Sequence, residues 1–139
     1  MKKYRVGYTT GVFDMFHIGH LNILRRAKEQ CDYLIVGVST DELVKEYKNK
    51  TPIIPFEERA EIVQSIDCVD RVIAQENRDK YEAWRELKFD VMFVGDDWKG
   101  KPLFMKLEEE FKKVGVDVVY FLYTKDTSST ILREKLNVL

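Results

Sequence analysis

The chain has 139 residues, 34% of them charged, and a formal net charge of −1. That length suits a single domain over 1–139 with one core, and the near-neutral charge makes no case for nucleic acid or an anionic membrane as partner. Two distant cysteines, Cys31 and Cys68, lack metal-ligand spacing and read as free thiols; with no charged-then-apolar leader and no membrane-length apolar run, a cytoplasmic protein is expected.

Apolar runs of strand length alternate with helical patterns. A first strand is predicted over 4–9. It enters the turn Gly11-Val12-Phe13-Asp14-Met15-Phe16-His17-Ile18-Gly19-His20, and a helix follows at about 19–30. A second strand is predicted over 33–38. The stretch Glu46 to Pro55, with Pro52, Pro55 and three lysines, fits a mobile loop better than a helix. Next come a helix at about 56–66, a strand over 70–74, a helix at about 79–88 and a strand over 91–94. A helix at about 101–114, with Phe104, Leu107, Phe111 and Val114 on one face, precedes a strand over 116–122 and a last helix at about 128–137.

This alternation predicts an α/β, Rossmann-like three-layer fold: a five-stranded parallel sheet built from right-handed βαβ crossovers. Ligands of such sheets bind at the carboxyl ends of the strands, where the strand order reverses. Three polar clusters fall at such ends: Gly11 to His20, Gly95-Asp96-Asp97-Trp98, and Tyr123 to Thr130.

The first cluster carries the most chemistry. Glycines at a strand-to-helix turn let backbone approach a phosphate, and the helix N-terminus behind them favours negative charge. His17 and His20 are three apart, so both imidazoles can face one anion. The alternative is a turn whose histidines only cap or pack. Lys45, Lys48 and Lys50 can neutralise a triphosphate or be plain solvated surface. Glu57 and Glu58 suit a helix start, and Arg59 beside them reads as an exposed helix arginine.

The ten-residue turn resembles the G-x-F-D-x-x-H-x-G-H signature of the cytidylyltransferase branch of the H-x-G-H nucleotidyltransferase superfamily, and the chain is most similar to the glycerol-3-phosphate cytidylyltransferases. The resemblance implies transfer of the cytidylyl group of CTP to a phosphorylated alcohol, with pyrophosphate released and CDP-glycerol as product, for cell-wall or capsule polymers. It implies Mg²⁺ accompanying the triphosphate, and a homodimer. His17, His20, Lys48 and Lys50 are the catalytic residues it points to. Gly11, Val12, Phe13, Gly19 and Asp97 are nucleotide contacts, and Lys48, Lys80 and Arg59 acceptor contacts. The carboxylates of Gly95-Asp96-Asp97-Trp98 can hold Mg²⁺, directly or through water, or accept from cytosine or ribose; a capped turn is the plain alternative.

Segment 123–130 corresponds to R-T-x-G-I-S-T-T of the same branch. Thr124, Ser128, Ser129 and Thr130 keep its hydroxyls as triphosphate contacts, and they also suit helix N-capping. Tyr123, Asp126 and Thr127 depart from it, and so does Asp67, which stands where relatives carry an arginine. These departures keep other acceptors open: glycerol-2-phosphate, phosphocholine, phosphoethanolamine or another phospho-polyol. A nucleotide-binding protein without catalysis is the reading from another class.

Overall fold

The structure, a computed structural model, describes residues 2–122. Its strands are β1 (Tyr4–Gly11), β2 (Cys31–Ser39), β3 (Arg71–Gln75), β4 (Val91–Gly95) and β5 (Asp117–Phe121). They form one all-parallel sheet in the order β3-β2-β1-β4-β5. The helices are α1 (Ile18–Gln30), α2 (Asp41–Lys48), α3 (Phe56–Gln64), α4 (Lys80–Leu87) and α5 (Pro102–Lys113), with a 3₁₀ turn at Asp96–Trp98.

The near-continuous apolar strands are explained by cover on both faces. Leu34, Val36 and Val38 of β2 pack with Leu24 and Ala27 of α1 and Val63 of α3. Ile35, one residue out of step, joins Val6, Tyr8 and Met92 on the other face, beneath Phe104, Leu107 and Phe111 of α5 and Tyr81 and Trp84 of α4. Each large apolar side chain so buried contributes about 1.5–3 kcal/mol. This is the three-layer arrangement the alternating pattern predicts. Gly7 in the central strand serves close packing: a Cβ there would lie 2.7 Å from the Phe93 ring and 2.8 Å from the Cys31 sulfur.

The connectivity places the functional end. The chain leaves β1 for β2 and β3 on one side, then returns to lay β4 on β1's other flank. The reversal point therefore lies between the carboxyl ends of β1 and β4. There the buried Thr9 hydroxyl donates to the Phe93 carbonyl at 2.9 Å, tying the two strands where their ladder ends.

Two expectations are corrected. Glu46 to Pro55 is not wholly a loop, because α2 runs through Glu46 and Tyr47 to Lys48. Thr40 caps it by accepting from the Leu43 amide, Asp41 and Glu42 occupy its first turn, Lys45 and Lys48 its last, and Asn49 closes it in the left-handed conformation. Asp67 precedes β3, at the amino end of the sheet, is exposed, and does not line the cavity described below. The charge change there does not face the cavity. Its neighbour Asp70 anchors that edge instead, accepting from the Leu34 amide at 2.7 Å and pairing with Lys28 at 2.5 Å. Among the described residues, no helix is long and apolar enough to cross a membrane. The helix expected at about 128–137 lies outside the described residues.

Candidate active site

A cavity of about 790 Å³ opens at the reversal point. The ends of β1 and β4 form its floor, His17, Gly19 and His20 one wall, and Lys48, Lys50 and Lys80 others.

The two histidines cap each other on α1. His17 is the N-cap residue, in extended conformation, and its Nδ1 accepts from the Gly19 amide at 3.0 Å. His20 Nδ1 accepts in turn from the His17 amide at 3.2 Å. This is a capping box made of imidazoles in place of hydroxyl and carboxylate. The rings stack, with centroids 3.9 Å apart. Because each Nδ1 accepts, the proton of each neutral ring sits on Nε2. Each imidazole thus stands between a backbone amide and the cavity and carries a hydrogen-bond donor outward. The Gly19 amide is thereby taken up by the capping box.

Burial disfavours the charged form of both rings. It lowers the pKa of His17, and it lowers that of His20 to about 4, with the His17 charge adding to the effect and Asp14 opposing it. Phe13 and Phe16 supply the apolar setting, their ring centres 5.4 and 5.2 Å from that of His20.

The turn holding this pair is strained. Phe13 and Met15 have φ of 53° and 50°, values that cost non-glycine residues free energy. Gly11 makes room for the bend, since a Cβ there would lie 2.9 Å from the Phe13 ring. What fixes the turn is a buried polar network the sequence reading missed. The buried Asp14 accepts from the Ile53 amide at 2.8 Å and the Ile54 amide at 2.9 Å. Arg59, 1% exposed, donates to the carbonyls of Val12, Ser39 and Ile54 and to Asp41 Oδ1. Asp41 Oδ2 also accepts from the Phe56 amide at 3.3 Å. Three loops at the carboxyl ends of β1 and β2 and before α3 are thereby knitted together.

That network corrects the reading of Arg59. It is not an exposed helix arginine: it is buried, donates to three backbone carbonyls and to Asp41, and is not among the residues lining the cavity. Asp14 was legible as part of the ten-residue signature, and it is among the residues lining the cavity.

The other candidates divide. Gly11, Val12, Phe13, Gly19, His17 and His20 come together with Lys48, Lys50 and Lys80 around the one cavity. Burial, aided by the Arg78 charge and opposed by Asp79, lowers the pKa of Lys80 to about 8. Gly95 and Trp98 line the cavity from β4's end, with the Trp98 ring packed on Phe104 at 5.2 Å. Asp97 rides on the 3₁₀ turn between them, its side chain outside what the structure describes. Thr124, Ser128, Ser129 and Thr130, with Tyr123 and Asp126, lie outside the described residues. Among the described residues no group of three or more His, Cys, Asp or Glu side chains comes together to cage a metal.

An all-parallel sheet whose reversal point carries a glycine turn, two inward-capped imidazoles and a ring of lysines defines an α/β nucleotidyltransferase. Comparison with known proteins agrees. The profile of the cytidylyltransferase-like family matches residues 8–135, and the chain belongs to that family. It is 38% identical over 129 residues to a glycerol-3-phosphate cytidylyltransferase of Bacillus spizizenii, covering 92% of this chain and 94% of that protein. It is also 41% identical over 123 residues to an FAD synthase of Pyrococcus abyssi, covering 86% and 83%. Among solved structures it resembles a lipopolysaccharide core biosynthesis protein of Thermoplasma volcanium, with a TM-score of 0.71, 27% identity and coverage of 89% and 99%. The protein is a nucleotidyltransferase of the cytidylyltransferase type.

Proposed function

We propose that the enzyme joins CTP to glycerol-3-phosphate, giving CDP-glycerol and pyrophosphate. The observation that carries this reading is the imidazole capping box, which aims neutral donors into a cavity that lysines also line. The glycerol-3-phosphate cytidylyltransferases at 36–38% identity support the choice of substrates.

A phosphate oxygen of the acceptor attacks the α-phosphorus of CTP in line. The new P–O bond forms as the bond from that phosphorus to the bridging oxygen of the β-phosphate breaks, and pyrophosphate leaves with the electron pair. No covalent enzyme intermediate is needed. His17 and His20 donate through Nε2 to the α-phosphate oxygens and stabilise the charge that grows there. Lys48 and Lys50 neutralise and orient the triphosphate and the incoming phosphate, and Lys80 holds the acceptor. A Mg²⁺ carried on the triphosphate belongs to this reading: with no cage of carboxylates among the described residues, substrate phosphates and water would be its main ligands. When bound there, it withdraws charge from the leaving pyrophosphate. The homodimer and the place of Asp97, Thr124, Ser128, Ser129 and Thr130 on the nucleotide belong to the same reading, and solution mass by light scattering tests the dimer.

A second reading has a specific support: the FAD synthase relative points to adenylyl transfer from ATP. One experiment separates the two. The protein is incubated with CTP or ATP, Mg²⁺ and a panel of phospho-alcohols and FMN, and pyrophosphate is assayed. Turnover with CTP and glycerol-3-phosphate is expected. Turnover confined to ATP and FMN would replace this reading with the second, and CTP binding without turnover on any acceptor would leave a nucleotide-binding protein.

A further inference from the structure

Two separate segments bring a compact group of cations to the cavity. Tyr47 and Lys48 end α2, whereas Arg78 and Lys80 flank Asp79 at the start of α4, and all five line the cavity. The Arg78 guanidinium carbon lies 4.9 Å from the centre of the Tyr47 ring, and Lys48 Nζ lies 5.6 Å from the same centre. Arg78 is also near enough to Lys80 for its charge to disfavour the protonated amine.

Arg78 is a cation of this group whose charge no carboxylate of the described residues pairs: the ion pairs among those residues are Lys28–Asp70 and Arg59–Asp41. The Asp79 carboxylate is turned to capping, accepting from the Glu82 amide at 3.0 Å. Cations gathered round one ring repel one another, and a doubly charged anion between them removes that repulsion. A guanidinium laid on an aromatic face keeps its planar fork of N–H donors for an oxyanion, which it can grip with two parallel hydrogen bonds.

We propose that Arg78 determines acceptor specificity by gripping, with Lys48 and Lys80, the phosphomonoester dianion of the second substrate, and that Tyr47 is the positioning residue that holds the guanidinium. The proposal rests on the functional reading above in taking that substrate to carry a phosphate. It goes further in assigning to the acceptor phosphate a residue outside the ten-residue signature.

The test is calorimetric titration of the whole protein with glycerol-3-phosphate and with its methyl phosphodiester, and separately with CTP. Wild type should prefer the monoester by about tenfold or more, the size of a hydrogen bond to a charged group. Arg78→Met should erase most of that preference while CTP affinity stays within about twofold, and Arg78→Lys should recover part of it. Tyr47→Leu should weaken monoester binding several-fold and raise the acceptor KM without changing kcat. Tyr47→Phe, which keeps the ring, should match wild type. Unchanged monoester binding in Arg78→Met, an equal loss of CTP affinity, or no monoester preference in wild type would each overturn the proposal. If wild type turns over no phospho-alcohol yet needs Arg78 to bind the monoester, the functional reading fails and the Arg78 assignment stands.

Discussion

Arg59 Nη2 donates to Asp41 Oδ1 at 2.6 Å, an ion pair whose arginine side chain is fully buried. Removing the arginine leaves the partly exposed Asp41 unpaired and strands the carbonyls of Val12, Ser39 and Ile54, at about 1–3 kcal/mol for a buried acceptor left unmet. Arg59→Met should therefore lower stability by that order in urea unfolding, and should slow turnover only as far as the loops around Val12, Ser39 and Ile54 loosen. A variant with wild-type stability but a raised acceptor KM would return Arg59 to the substrate.

Asp14→Asn is a finer probe of the same network. The carboxylate accepts from two consecutive amides, one on each oxygen, and an amide side chain has a single acceptor oxygen. One buried N–H is left unmet, at about 1–3 kcal/mol. Hydrogen exchange at Ile53 or Ile54 should accelerate while that of the sheet does not. Unchanged protection at both amides would show that the clamp is unimportant.

His17→Ala and His20→Ala each remove an Nε2 donor and half of the capping box. Lost capping costs about 0.5–2 kcal/mol, so both variants should stay folded. Turnover should fall by about 10²–10³, as for loss of an oriented donor to a developing oxyanion. Near-wild-type pyrophosphate release from either would remove that histidine from the mechanism.

The histidines also set an acid limit. The pKa of His20 is about 4 in the folded protein, below its ordinary value of 6.5. Between those values the unfolded chain binds the extra proton and the folded chain does not. This group therefore destabilises the fold as pH falls from about 6.5 towards 4, and its contribution levels off below. Melting temperature measured across that window should drop more in wild type than in His20→Gln. Parallel curves would refute the assignment.

Lys80 sets a limit on the alkaline side. Its pKa is about 8, chiefly through burial, with Arg78 adding to the effect and Asp79 opposing it. As pH rises through 8 the amine loses its charge, so kcat/KM for the acceptor should fall while CTP affinity holds. Stability moves the other way: between 8 and 10.5 the unfolded chain holds the extra proton, so this group favours folding as pH rises. Arg78→Met should move the kinetic break to higher pH, and a break that stays in Lys80→Met would belong to another group.

Much of this was legible in the sequence because it is local. The strands are apolar runs, and the position of a loop before or after its strand decides which edge of the sheet it occupies. By that rule alone Asp67, which precedes β3, belonged to the amino edge. The missed helix α2 had its caps in view at Thr40, Asp41 and Asn49; the prolines just beyond, at 52 and 55, drew the whole stretch into a loop. Arg59 was hidden for a different reason. Its partners are mainly backbone carbonyls, as far as 47 residues away, and no side-chain pattern marks a carbonyl.

The tie between Thr9 and Phe93 spans 84 residues of sequence. The cavity floor thus consists of the chain's first strand and its fourth, and no early segment holds both. A nascent chain emerging from the ribosome would complete the histidine turn long before it could bind nucleotide. The enzyme becomes competent only when β4 slots in beside β1, so truncations ending before residue 91 should show no affinity for CTP.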